Sequence, residues 1–128
     1  MKILVPISVG ELFDKISILE IKKIKIKDKE KLINIKFELI ELKKIIKKKN
    51  LKNKDYMNQY KKLFNINQKL WNIEDKKRSY ENTMKFDDKF IELARKVYLL
   101  NDKRAQIKNN INTNSGSKIK EVKSYEKY

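Results

Sequence analysis

Leu32-Ile-Asn-Ile-Lys-Phe-Glu-Leu-Ile-Glu-Leu-Lys-Lys-Ile-Ile46 is the stretch on which the fold turns. Leu32, Ile35, Leu39, Leu42 and Ile46 alternate at spacings of three and four. That is a coiled-coil-like seam: one apolar helix face that needs a partner helix. The rhythm recurs on both sides. Upstream, Val9, Leu12, Ile16 and Leu19 share a face of a helix that starts at about residue 9, and the phase breaks near Lys27-Asp28. Downstream, past a solvated turn at 47–54, Leu63, Ile66, Leu70 and Ile73 form the seam of a helix at about 55–83. A loop at 84–87 precedes a fourth helix, which runs on Leu93, Val97, Leu100, Ile107 and Ile111 to about residue 112. The expected fold is all-α: an antiparallel helical bundle or paired long helical hairpins.

Local signals mark the ends of these segments. Ser8-Val-Gly-Glu11 reads as a capping box, with Ser8 as N-cap, Glu11 reaching back to it, and Ile7 and Leu12 at the staple positions. Asp87 is placed to cap the fourth helix, with Phe86 and Ile91 as a second staple pair. Residues 2–7 read as a short extended segment that Pro6 confines to an edge or a strand end. Asn112–Ser117 is a turn cluster, and the tail Ile119–Tyr125 could run extended and pair with residues 2–7. With no internal repeat and no Gly/Pro-rich linker, the reading is one helical domain over 1–128, with 113–128 open to being a flexible tail.

Composition removes whole chemistries. The 128 residues hold no Cys and no His. Disulfides, thiolate nucleophiles, structural zinc sites and Ser-His-Asp triads are therefore excluded. No apolar run approaches the ~18 residues of a membrane span, and Met1–Glu11 lacks the pattern of a signal peptide, so a soluble, cytoplasmic protein is expected. The 33 Lys+Arg against 17 Asp+Glu give a formal net charge of +16. Lys (30), Ile (18) and Asn (13) supply 61 of the 128 residues, and all three belong to A/T-rich codons. This lysine-rich, basic character is spread along the chain, so solvated helix faces account for most of it. Nucleic-acid binding through such lysines would be salt-sensitive and non-specific. Against that background Pro6, Gly10, Trp71, Arg78, Ala94, Arg95, Arg104, Ala105 and Gly116 stand out. Glycine and alanine permit close backbone approach, and arginine makes planar two-pronged hydrogen bonds that lysine does not.

Beside the third helix's seam runs a second stripe: Tyr60, Phe64, Asn67, Trp71, Glu74, Arg78 and Glu81. The fourth helix has a companion of Ile91, Ala94, Tyr98, Asn101, Ala105 and Lys108, flanked by Asp102 and Arg104; the first adds Glu11, Asp14 and Lys15. If these faces meet, the candidate site is Glu11, Asp14, Lys15, Trp71, Glu74, Arg78, Asn101, Asp102 and Arg104. Three readings stay open. The acids pair with Lys15, Arg78, Arg104 and Lys108 in a network that sets helix register. The cluster binds an anionic small molecule or a partner. Or Glu11, Asp14, Glu74 and Asp75 hold Mg²⁺ or Mn²⁺ for hydrolysis of nucleotides or nucleotide-sugars; no other cofactor is expected. The helical seams could also serve a homodimer or a protein partner.

Val5-Pro-Ile-Ser-Val-Gly-Glu-Leu-Phe-Asp-Lys-Ile-Ser-Ile-Leu-Glu-Ile-Lys22 resembles the opening of a bacterial and phage family, domain of unknown function 6165. So do Leu70–Asp75 with Arg78, Phe90–Arg95 with Tyr98, Asn101–Ala105, Gly116-Ser117 and Lys123–Tyr125. No activity comes with the resemblance. It implies an accessory role, since relatives of this kind accompany glycosyltransferase and surface-polysaccharide functions. The chain is also distantly similar to the all-α nucleotide pyrophosphohydrolases, but Glu11-x-x-Asp14 and the adjacent Glu74-Asp75 depart from that pattern of spaced acid pairs. The leading expectation is a small accessory or binding protein.

Overall fold

Four helices account for the regular structure in the computed structural model, which describes residues 1–127: α1 (Val9–Lys25), α2 (Lys29–Lys48), α3 (Lys54–Asn82) and α4 (Asp88–Ser115). Each begins on a side chain that accepts a hydrogen bond from the first turn: Ser8, Asp28, Asn53 and Asp87 in chain order. Short polar oxygens at that position satisfy amides that have no partner inside the helix. α4 ends on Gly116, whose φ of 68° is left-handed, and the Ser117 N–H donates back to the Asn112 carbonyl at 2.9 Å. This is the glycine-terminated closure that only a residue without Cβ adopts freely.

α1 is the axis of the packing. It lies against α2, α3 and α4, and α3 also lies against α4; α2 has no helix beside it other than α1 among the described residues. Leu12, Phe13, Ile16 and Leu19 of α1 meet Ile35, Leu39 and Ile46 of α2, Tyr56 and Leu63 of α3, and Ile111 of α4. Within the chain the seam of α2 therefore packs against α1 and not, as expected, against α3.

Three expectations need correcting. α4 runs to Ser115, so Asn112–Ser115 is helix and not turn. The two extended termini do not pair: among the described residues there is no strand, Lys2 reaches Glu41 of α2 at 3.2 Å, and the tail lies along α4. Ile91 is exposed, and Phe86 packs instead edge-on against Phe90, with ring centroids 5.3 Å apart. The last residue of the expected tail, Tyr128, lies outside the described residues.

Tyr60 closes one edge of the core, between the rings of Phe13 (6.3 Å) and Phe64 (6.4 Å). Burial first, and the carboxylate of Glu20 second, push its phenol from 10.0 up to about 12. Between those values the unfolded chain loses the proton while the folded chain keeps it, so stability falls as pH rises from 10 to about 12. Wild type is therefore expected to lose more stability than Tyr60→Phe over that interval, with the two parallel below pH 10. Denaturant titrations across pH check this, and the difference between the chains cancels the lysine titration common to both.

Candidate functional site

The polar centre of the molecule is Asp14, which is 0% exposed. Ser8 caps α1 six residues earlier, and the helical repeat turns Asp14 away from solvent toward α3 and α4. Its carboxylate receives Nε of Arg104 at 2.9 Å, with Nη2 of the same guanidinium on the other oxygen. Asn67 Nδ2 donates to it at 2.8 Å and to Ser17 Oγ at 2.7 Å, while that hydroxyl donates to the Asp14 carbonyl at 2.7 Å. A buried carboxylate is tolerable only when paired and hydrogen-bonded in this way.

One turn along α4, Lys108 joins the same group. Its side chain is 8% exposed and lies 2.7 Å from Glu11, 3.0 Å from Glu121 and 3.7 Å from Asp14. Burial alone would lower its pKa, but the bonds to Glu11 and Glu121 and the charge of Asp14 outweigh that and carry it above the ordinary lysine value. The bond to Asp14 likewise raises Arg104, against the opposing effect of burial. Glu11 therefore faces Lys108 instead of completing the capping box, of which Ser8 Oγ keeps its half by accepting from the Glu11 N–H at 3.0 Å.

The helices are keyed beside this network. Gly10 N–H donates to Asn112 Oδ1 at 2.7 Å, a bond between residues 102 apart in sequence. A Cβ on Gly10 would stand 2.8 Å from that oxygen and closer still to the Lys108 carbonyl. As α1 proceeds from Gly10 to Asp14, its partners on α4 retreat from Asn112 to Arg104, so the two helices are antiparallel. The tail adds the last contacts: Lys123 Nζ donates to the Asn101 carbonyl at 3.2 Å and lies 3.6 Å from Asp102.

Next to the network, α1, α3 and α4 enclose a cleft of about 390 Å³. Ile18, Ile21 and Leu70 make its apolar floor, and Trp71, Glu74, Asp75 and Arg78 stand along its α3 wall. Arg104 closes the inner end, so one side chain belongs to both cleft and network.

The sequence-predicted residues thus divide. Glu11, Asp14, Asn101, Asp102 and Arg104 come together in the network, and Trp71, Glu74 and Arg78 line the cleft. Lys15 joins neither: it is exposed on α1 and makes no ion pair among the described residues. Of the four expected cations, Arg104 and Lys108 pair with the acids, whereas Arg78 does not. The four acids of the metal reading also separate. Glu11 and Asp14 are held by Lys108 and Arg104, Glu74 lies 3.4 Å from Lys77, and no group of three acids among the described residues is placed to hold a metal ion. Ser17, Asn112 and Glu121 were not legible as participants. Ser17 and Asn112 lie on helices with nothing in their spacing to mark them, and Glu121 sits in an irregular tail.

The model of the family of unknown function DUF6165 matches residues 1–128. This chain belongs to that family. Nothing among curated proteins or solved structures matches it. In this DUF6165 chain the stretches that carried the resemblance converge in space. Val5–Lys22 supplies Ser8, Gly10, Glu11, Asp14 and Ser17; Leu70–Arg78 supplies the cleft wall; Asn101–Ala105 supplies Arg104.

Proposed function

We propose that this DUF6165 chain is a cytoplasmic accessory protein that binds an anionic ligand with a ring-bearing body in the α1–α3–α4 cleft. The observation that carries the reading is the contrast between the two arginines. Arg104 is engaged by Asp14, inside a network whose four carboxylates (Glu11, Asp14, Asp102, Glu121) outnumber its three cations (Arg104, Lys108, Lys123) and leave no surplus positive charge. Arg78 lies on the cleft, exposed, with no partner among the described residues. A guanidinium held open beside an aromatic wall suits a phosphate or carboxylate attached to a planar group. Glu74 and Asp75 are placed to accept hydrogen bonds from hydroxyls. Nucleotide-sugars combine all three features and are the class to try first. A metal-dependent hydrolase gains no support from this geometry, because two of its four acids are occupied by cations.

Trp71 is the only tryptophan of the chain, so its fluorescence reports on the cleft alone. Titration with UDP-glucose at 0.15 M salt, where loose lysine electrostatics are screened over ~8 Å, is expected to give a saturable emission change. Arg78→Ala should weaken that binding by about tenfold or more, the value of one charge-assisted hydrogen bond, and leave the melting temperature unchanged. No saturable change with UDP-glucose, UDP or glucose 1-phosphate defeats the nucleotide-sugar assignment. Equal binding by Arg78→Ala defeats the site.

A further inference from the structure

α2 is apolar on two opposite sides. Ile35, Leu39 and Ile46 are buried toward α1. About half a turn round the helix, Ile33, Phe37 and Ile40 form a second stripe at spacings of four and three, and they are 67%, 68% and 56% exposed. A helix side meant for water carries polar residues, whereas here three large apolar side chains stand in a row along one exposed face. An apolar stripe on the one helix that has a single neighbour is a face that lacks its cover.

The charges at the ends of the stripe identify the cover. Glu30 lies one turn before Ile33, and Lys44 and Lys47 lie one and two turns after Ile40. Glu30 and Lys47 have no ion-pair partner among the described residues, and Lys44 has only an exposed intrahelical pair with Glu41. The stripe has Glu30, beside Lys29, at one end and lysines alone at the other, so turning a second copy end for end sets Glu30 against a lysine. A second α2 laid antiparallel across it brings Glu30 of each copy to Lys44 of the other. The same placement sets Ile33 against Ile40 of the second copy and Phe37 against Phe37 at the centre. A parallel arrangement would oppose like charges at both ends. The extended segment before α1, tethered by Lys2 to Glu41, holds the exposed Ile3, Leu4 and Val5 near the same helix.

We propose that this outer face of α2 is a homodimer interface, in which two copies pack α2 against α2 antiparallel about a two-fold axis near Phe37. Such an interface is isologous, so each substitution acts twice. It is independent of the cleft, and the dimer does not require the ligand reading to hold.

Sedimentation equilibrium at 0.15 M salt, from low micromolar to millimolar protein, is expected to show a monomer–dimer equilibrium. Phe37→Glu should raise the dimer dissociation constant at least about tenfold, with two unpaired carboxylates facing each other at the axis. It should leave thermal unfolding of the monomer in place, because Phe37 is 68% exposed and lies outside the core cluster. The geometry has its own readout, since the chain contains no cysteine. Under mild oxidation a mixture of Ile33→Cys and Ile40→Cys chains should form a mixed cross-linked dimer, while neither variant alone does. A monomer at every concentration overturns the proposal. So does a dimer indifferent to Phe37→Glu, or self-cross-linking of Ile33→Cys alone, which would mean parallel packing.

Discussion

Asp14→Ala is expected to remove about 3–5 kcal/mol of folding stability, the usual consequence of deleting one partner of a buried ion pair. The figure does not measure the worth of the Asp14–Arg104 bond. Most of it is the penalty for what stays behind: a guanidinium and an ammonium facing each other in the interior, and Asn67 with one acceptor fewer. Arg104 keeps an edge toward the cleft, which places the expected loss in the lower half of that range. Arg104→Lys keeps the charge but gives up the two-pronged geometry, so it should lose less than Asp14→Ala. Urea titrations with a shared m-value decide the matter. A loss under 1 kcal/mol for Asp14→Ala would mean that water reaches the pair and that the helices are not locked through it.

Gly10→Ala is the second large effect. Alanine ordinarily stabilises a helix relative to glycine by roughly 0.5–1 kcal/mol, so the sign here is set by packing alone. The added methyl would lie 2.8 Å from Asn112 Oδ1 and nearer still to the Lys108 carbonyl, which is backbone and does not swing aside. α1 and α4 must separate. That costs about 1–3 kcal/mol for overpacking and a comparable amount for the buried Gly10–Asn112 bond. A net loss of about 3 kcal/mol is expected. Gly116→Ala is the control: its Cβ meets nothing within 4 Å, so the cost is only the left-handed backbone, about 1–2 kcal/mol. Melting curves of the two variants should therefore rank Gly10→Ala well below Gly116→Ala.

Much of this architecture is legible in the chain because apolar spacing is a direct imprint of helix packing. Leu63, Leu70 and Ile73 are buried as their rhythm predicts, and Gly10 and Arg104 stand out from a composition dominated by Lys, Ile and Asn. The same bias hides other participants. Lys108, one of 30 lysines, is marked by its place on the α4 stripe and not by its residue type, and the same reasoning also named Lys15, which is exposed. Asn112 belongs to a run that reads as turn chemistry. In the structure it is a fully buried helical residue whose amide oxygen caps the start of α1, a tertiary contact that overrides local preference. Glu11 shows a limit of a different kind: the capping-box pattern is present, but a lysine from α4 competes better for the carboxylate than the local amide does.

That α1 touches every other helix while the cations paired with Asp14 lie on α4 also bears on how the chain reaches this state. Asp14 and Arg104 are separated by 90 residues. At a synthesis rate of about 5–20 residues per second, Asp14 waits roughly 5–20 s for its counter-ion. Until then only α2 and α3 are available to pack on α1, and the carboxylate has Asn67 for a donor but no cation. Helical bundles usually fold fast because their contacts are short-range. Here the decisive closure is one of the longest loops the chain can form, and its entropy is lost before the bond is gained.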